Sequence, residues 1–121
     1  MFNYTKERNS YIYNFTTNSG TNYSVLFNPH SINITEVSLE RNSEGSDDPN
    51  SIFEIMETGF QIANDHISVY PNVNTLVFNV IGDTSKEIDQ KIKMYVKYSK
   101  TLNGNWSSEI SDNKVILKKI S

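Results

Sequence analysis

Four lysines in the last third of the chain are spaced so that they share one face of a helix. They are Lys86, Lys93, Lys97 and Lys100. With 3.6 residues per turn, these positions fall within about 60° of one another. A row of cations can bind phosphate or an acidic partner. The same spacing is typical of the solvent face of an amphipathic helix, so both interpretations stay open.

The composition of this lysine row limits what it could recognise. Lysine offers no bidentate fork for phosphate, unlike arginine. The chain carries a net charge of −3, whereas binding to duplex nucleic acid depends on many contacts between cationic side chains and phosphates. We therefore expect no duplex nucleic acid as a partner, and an anionic nucleotide stays as an alternative ligand.

A second candidate surface is an excess of aromatic residues near the N-terminus. Tyr11, Tyr13 and Tyr23 lie in two segments of alternating polarity, together with Phe15 and Phe27. Tyrosine is enriched at protein interfaces, which favours a protein partner. The rings would serve equally well as the sheet side of the core. A free edge strand here also leaves open pairing with a second copy of the chain.

The sequence offers little for catalysis or metal binding. It contains no cysteine, and its five glycines are scattered rather than grouped in a phosphate-binding loop. No serine lies in a glycine-flanked nucleophile motif. The two histidines, His30 and His66, lack a second histidine at ligand spacing, so we expect each to be solvated or to cap a helix. We predict a non-enzymatic protein with no metal and no cofactor.

Charge is divided unevenly along the chain. Residues 1–83 carry three basic and ten acidic side chains, whereas residues 84–121 carry eight lysines and four acidic side chains. An acidic half of this kind could mask a basic toxin, as an immunity protein does. No segment approaches the roughly 20 apolar residues of a membrane span. Residues 1–10 lack the apolar region of a signal peptide. We expect a cytoplasmic protein without membrane contact, and a cysteine-free secreted protein stays open as the alternative.

Hydrophobic periodicity predicts the strands that would position these residues. Residues 1–9 are expected to be a frayed end or a short edge strand. Alternation in residues 11–15 and 23–27, around a turn at residues 18–20, predicts a β-hairpin. A third strand is expected from residue 32 to 39, with a β-bulge at residues 35–36 restoring its alternation. The apolar run at residues 73–81 predicts a central strand buried on both faces, and residues 106–120 predict a closing hairpin.

Two amphipathic helices are predicted. The first begins near residues 48–51, after an exposed loop at residues 41–50, with Ser51 and Glu54 as a capping box. Gly59 lies in its apolar stripe, which suggests close contact between helix and sheet. The second begins at Thr84, with Glu87 completing a capping box. The order βββ-α-β-α-ββ predicts one α+β domain over residues 1–121, with a mainly antiparallel sheet and two helices packed on one face.

The hairpin also carries a resemblance to a group of known proteins. From Tyr13 to Phe27 the chain follows the pattern Y-x-F-T-T-x-x-G-x-x-Y-x-V-x-F. This resembles the opening hairpin of small uncharacterised proteins of bacteriophages and related mobile elements, which continue as helix, strand and helix. The arginine expected early in the second helix is absent, with Lys86 and Lys91 in its place. The resemblance implies a phage or prophage origin and supplies no functional residues.

We therefore expect a non-enzymatic phage or mobile-element accessory protein that binds a protein partner. It would inhibit a host-defence protein in the bacterial cytoplasm or belong to the virion. One alternative is a protein that sequesters an anionic nucleotide, and another is an immunity protein that masks a basic toxin. The residues predicted to bind are Lys86, Lys93, Lys97, Lys100, Tyr11, Tyr13 and Tyr23.

Overall fold

One seven-stranded sheet and two helices make up the fold of the residues that the structure describes. The computed structural model describes residues 1–42 and 51–120. Its strands are β1 (Tyr4–Lys6), β2 (Ile12–Thr16), β3 (Asn22–Pro29), β4 (Ile34–Arg41), β5 (Thr75–Asn79), β6 (Trp106–Ser111) and β7 (Lys114–Lys119). Its helices are α1 (Ile52–Val69) and α2 (Ser85–Ser99). The α+β class is confirmed, and β1 is the short edge strand that precedes the predicted order.

The sheet is mainly antiparallel, as predicted. Its strand order is β1-β2-β3-β4-β5-β7-β6. Only β4 and β5 are parallel among these neighbours. A parallel pair requires a crossover between its strands, and α1 lies in that connection. The predicted hairpins β2–β3 and β6–β7 both form, with β6 at the edge of the sheet.

The core lies against one face of the sheet. Directly paired residues form a buried row across four strands: Phe27, Val37, Phe78 and Val115. The ring of Phe78 lies 5.4 Å from that of Phe60 in α1 and 5.2 Å from that of Tyr95 in α2. Each helix therefore contacts the same side chain of β5. That both helices pack entirely on this face stays a prediction.

The central strand β5 is less buried than predicted. Leu76 and Phe78 are buried, as expected for the core face. Val77, on the opposite face, is only half-buried, and Ile81 is 79% exposed. The position of β5 inside the sheet is therefore confirmed, but its burial on both faces was a wrong prediction.

Strand β4 contains no bulge. It pairs with β3 without interruption over seven residues. Thr35 and Val37 are buried on its core face, whereas Ile32 and Ile34 are 71% and 39% exposed. The predicted bulge at residues 35–36 is therefore wrong. Thr35 takes the first core position of the strand, and Val37 follows it in regular alternation. No extra residue is therefore needed, and the two isoleucines remain exposed.

Helix α1 begins differently from the prediction. Ser51 has helical backbone angles, with φ −87° and ψ −10°, and its side chain makes no capping hydrogen bond. A capping side chain normally acts from a non-helical backbone, so the predicted Ser51/Glu54 box is wrong. Glu54 instead lies 3.4 Å from the N-terminal amine of Met1. Residues 43–50 of the predicted loop, with the predicted helix start there, lie outside the described residues.

Gly59 is not in close contact with the sheet. Apart from its own helix backbone and chain neighbours, no atom lies within 4 Å of the position that a Cβ atom would occupy. The predicted close approach is therefore wrong. Gly59 borders a small apolar cavity that is also lined by Ile55, Phe60, Phe78 and Tyr95.

Helix α2 begins after Thr84 as predicted, but the Glu87 half of the predicted capping box is shifted to the preceding residue, Asp83. The Oγ1 atom of Thr84 accepts a hydrogen bond from the backbone N–H of Glu87 at 3.1 Å. The Glu87 carboxylate accepts one from the N–H of Asp83, also at 3.1 Å. This network lowers the pKa of Glu87, first through the Asp83 bond and then through Lys91. Ile92 is buried, as the predicted apolar stripe of α2 requires.

Candidate functional site

The structure separates the three tyrosines that the sequence predicts as binding residues. Tyr13 and Tyr23 are 5% and 6% exposed and belong to the core. Neither side chain is accessible to a partner at the surface. For these two tyrosines, the alternative interpretation as core residues is therefore the right one. Tyr11, which precedes β2, is 41% exposed. It is the only one of the three that a partner could contact extensively.

The four predicted lysines all remain at the surface. Lys86, Lys93, Lys97 and Lys100 are exposed along α2. The Nζ atom of Lys97 lies 5.5 Å from the ring centroid of Phe53 and 5.7 Å from that of Tyr98. These distances fit cation–π contacts. We call these four residues the lysine row; none of them lines the cleft described next.

A cleft of about 300 Å³ opens at the C-terminal end of α1. Three parts of the chain form it: Tyr11 before β2, the turn from β3 to β4, and the end of α1 with its connection to β5. Its lining includes Tyr11, Ile32, Thr35, His66, Val69 and Tyr70. None of the described residues that line it is Asp, Glu, Lys or Arg. The cleft therefore offers apolar and uncharged polar contacts.

Local sequence signals place the walls of the cleft at one end of the sheet. Pro29 is the last residue of β3, and Pro71 follows the C-cap of α1. Proline cannot continue a helix or a strand ladder without losing a hydrogen bond. In the β3–β4 turn, Ser31 Oγ accepts hydrogen bonds from the N–H groups of Asn33 and Ile34, at 3.2 and 3.1 Å. These features stop both elements beside the cleft.

His66 is the most buried of the titratable side chains that line the cleft, at 3% exposure. Its ring stacks on Phe27, with 3.8 Å between centroids and 8° between planes. The Tyr13 hydroxyl lies 3.3 Å from its Nδ1 atom. The prediction of a solvated or capping histidine is therefore wrong at this position. Helix α1 also buries Ile62, one turn before His66, so His66 lies on a buried face of the helix.

His66 and Tyr13 are both neutral near pH 7. Burial lowers the pKa of His66 to about 4, with a smaller contribution from the positive charge of Lys6. Burial also raises the pKa of Tyr13, and Tyr70 adds to this effect. A neutral imidazole carries one N–H donor and one acceptor nitrogen. The hydroxyl of Tyr13 is already the hydrogen-bond partner of Nδ1. Nε2 is therefore the ring nitrogen to which a ligand could hydrogen-bond.

The Nε2 atom of His66 has no hydrogen-bond partner among the described residues. In the same part of the chain, no fully enclosed side-chain nitrogen or oxygen lacks a partner. An unpartnered Nε2 is therefore reachable from outside the core. His66 itself is one of the residues that line the cleft.

The cleft is surrounded by exposed apolar side chains. Ile32 is 71% exposed, Val69 62% and Tyr11 41%; we call these three residues the apolar rim. Apolar groups around a concave surface are typical of interaction sites. Tyr11 is the one rim residue that the sequence analysis selected. The sequence signal for the other two is a nearby proline. Pro29 ends β3 shortly before Ile32, and Pro71 follows the end of α1 shortly after Val69.

A larger groove lies at the opposite end of β3. It has a volume of about 690 Å³ and an asparagine-rich lining that includes Asn3, Asn14 and Asn22. It also borders Asn42, the last described residue before residues 43–50. The geometry of the cleft beside His66 is the basis of the proposals below.

Two comparisons with known proteins give no match for this chain. No protein-family model matches the chain, and no curated protein matches it. Within residues 1–42 and 51–120, no group of three or more His, Cys, Asp or Glu is placed to hold a metal ion. Neither described helix combines the length and apolar content needed to cross a bilayer. The geometry of the cleft is therefore what supports a functional proposal.

Proposed function

We propose that the protein is a non-enzymatic binding domain that recognises a protein partner through the cleft and its apolar rim. The exposure of Ile32, Val69 and Tyr11 around an uncharged cleft carries this proposal. Burying such side chains against a partner releases the unfavourable free energy of their hydration. The described lining holds no carboxylate or amine beside His66, which favours binding over acid–base catalysis.

The hairpin resemblance extends this proposal to a biological context. The resembling segment, from Tyr13 to Phe27, supplies two of the aromatic rings that contact His66. We propose an accessory protein of a phage or mobile element, with a host-defence protein or a virion component as its partner. Tyr13 and Phe27 would then serve the cleft by holding His66 in place rather than by contacting the partner themselves.

A capture experiment tests the proposed function. The rim would be changed by Ile32→Asp together with Val69→Asp in the tagged full chain. Both side chains are largely exposed, so the substitutions should leave folding intact. The control is Ile81→Asp, because Ile81 is 79% exposed and does not line the cleft.

The proposal expects a specific loss in this experiment. Proteins captured from host cells by the wild type and by the Ile81→Asp control should be missing with the rim variant. If all three proteins capture the same set, the rim is not the binding surface and the proposal fails. Circular dichroism would establish that the rim variant keeps its fold.

A second candidate function is the binding of an anionic nucleotide by the lysine row. It is favoured by the exposure of all four lysines and by the two rings beside Lys97. A ligand that binds the folded state raises the melting temperature by mass action. A thermal-shift series with nucleotides, repeated with Lys93→Ser and Lys97→Ser, would show a shift that those substitutions remove. No shift with any nucleotide would eliminate this function.

A further inference from the structure

We infer that the cleft accepts a tyrosine side chain of the partner, whose hydroxyl hydrogen-bonds to Nε2 of His66. This inference rests on the proposed function and names the chemistry recognised at the same site. Three observations carry it: the volume and aromatic walls of the cleft, its lack of charge, and the unpartnered ring nitrogen.

The size and walls of the cleft fit a single aromatic ring. Its volume of about 300 Å³ lies at the lower end of the range for small-molecule sites, so the cleft has room for an aromatic ring. Two wall residues, Tyr11 and Tyr70, have ring centroids 5.4 Å apart with planes at 69°. The Tyr70 ring is also 4.7 Å from that of His66. A further ring can extend this cluster in the edge-on or offset geometries that aromatic pairs prefer.

The absence of charge in the described lining excludes several occupants. A carboxylate, ammonium or phosphate group would lose hydration on entering, and no described lining residue supplies an opposite charge; Lys6 acts on His66 but does not line the cleft. His66 does not supply one, because its imidazole is neutral near pH 7. The group that binds must therefore be uncharged, and it must carry a hydrogen-bonding atom to use Nε2.

The hydrogen bond between His66 and Tyr13 selects tyrosine over tryptophan. If Tyr13 donates to Nδ1, then Nε2 carries the proton and needs an acceptor; if Tyr13 accepts, Nε2 needs a donor. A phenol hydroxyl can donate or accept, so it matches either tautomer. An indole N–H only donates and matches one. Phenylalanine would leave Nε2 without a partner, which costs binding free energy.

The probe for this inference is 4-methylphenol, which has the functional group of a tyrosine side chain. Toluene is the matched control because it keeps the ring and lacks the hydroxyl. Binding to the full chain would be followed by NMR through the ¹⁵N shift of His66 Nε2. His30 is the internal control, since its Nε2 lies 3.2 Å from Glu36 and it does not line the cleft.

We expect 4-methylphenol to bind about three- to tenfold more tightly than toluene, the value of one neutral hydrogen bond. The Nε2 resonance of His66 should move and that of His30 should not. Equal affinities, or an unchanged His66 resonance, would overturn the inference. In a His66→Phe variant, toluene should still bind and the preference for 4-methylphenol should disappear. If that variant does not fold, the wild-type shifts and the affinity ratio decide alone.

The two experiments separate this inference from the proposed function. If rim substitutions abolish capture but 4-methylphenol gains nothing over toluene, the partner binds the rim without inserting a tyrosine, and only this inference fails. If 4-methylphenol binds at His66 but rim substitutions leave capture unchanged, the cleft is a small-molecule site. The proposed function then fails, and so does the inference that a tyrosine of the partner occupies the cleft.

Discussion

The cleft and the lysine row differ in how the fold produces them. The cleft brings together residues from before β2, from the β3–β4 turn and from the end of α1. At its base, His66 is buried against rings from the hairpin. The lysine row consists of residues on one face of one helix, all exposed. Helical periodicity alone produces such a row, whereas the cleft requires three distant segments to converge, which makes it the stronger candidate site.

The largest expected contrast between the two regions is in stability. Phe27 is 3% exposed and stacks on His66, so Phe27→Ala should lower the free energy of unfolding by about 3–5 kcal/mol. Lys93→Ala removes an exposed side chain and should change it by no more than about 0.5 kcal/mol. Urea unfolding at pH 7 measures both. Similar losses for the two variants would break the comparison.

The second contrast is in pH dependence, and it comes from His66. Its pKa is lowered from 6.5 to about 4 in the folded state, so below pH 6.5 the unfolded chain binds a proton that the folded chain does not. The stability from this group is complete above pH 6.5 and falls as the pH decreases toward 4. Between pH 7 and pH 5 we expect a loss of about 2 kcal/mol.

Urea unfolding of two histidine variants at both pH values isolates this effect. His66→Phe should lack this part of the loss, because no titrating group remains at the position. His30→Gln should retain it, since His30 is a separate, exposed histidine. The same pH dependence in wild type and His66→Phe would mean that His66 is not held neutral beside the cleft.

A third prediction concerns the middle of α1, the helix that carries His66. Gly59→Ala should raise the free energy of unfolding by about 1 kcal/mol, because alanine favours the helix and its methyl group meets open space. Gly20 is the matched control: its surroundings are equally open, but its φ of +87° strains any residue with a side chain. Thermal unfolding should show stabilisation for Gly59→Ala and destabilisation for Gly20→Ala. If Gly59→Ala is destabilised instead, the result would support the close contact between α1 and the sheet that the sequence predicts.

A fourth prediction compares the starts of the two helices. Thr84→Ala should cost about 1 kcal/mol, because Thr84 accepts the hydrogen bond that caps α2 below the lysine row. Ser51→Ala should cost less than half of that, since Ser51 makes no capping bond. Melting temperatures of the two variants give the ranking. Equal losses would show that both sequence motifs act as caps.

Much of the fold could be predicted because its signals are local. Alternation identified the β2–β3 hairpin, the run around Leu76 identified an interior strand, and Thr84 with Glu87 identified the start of α2. These signals depend on residues close together in sequence. Ser51 and Glu54 carried the same kind of signal and failed, because Ser51 already has helical backbone angles.

The cleft could not be predicted because its key residue is defined by tertiary contacts. A histidine near the end of an amphipathic helix is usually solvated, and only the rings of Phe27 and Tyr13 make position 66 a core position. Thr35 likewise takes the core position that an isoleucine was expected to fill. The exposure of Ile34 follows from that one-residue difference in alternation, whereas Ile32 lies in the turn before the strand. The lysine row, in contrast, lies where the sequence placed it, because helical spacing alone determines it.

The most direct test compares the affinity of one captured partner for three proteins by isothermal titration calorimetry. These are the wild type, the rim variant with Ile32→Asp and Val69→Asp, and a lysine variant with Lys93→Glu and Lys97→Glu. The account predicts a loss of about 30-fold or more for the rim variant, as for interface hot spots, and a change below about threefold for the lysine variant. A rim variant that binds like the wild type, beside a lysine variant that does not, would contradict it.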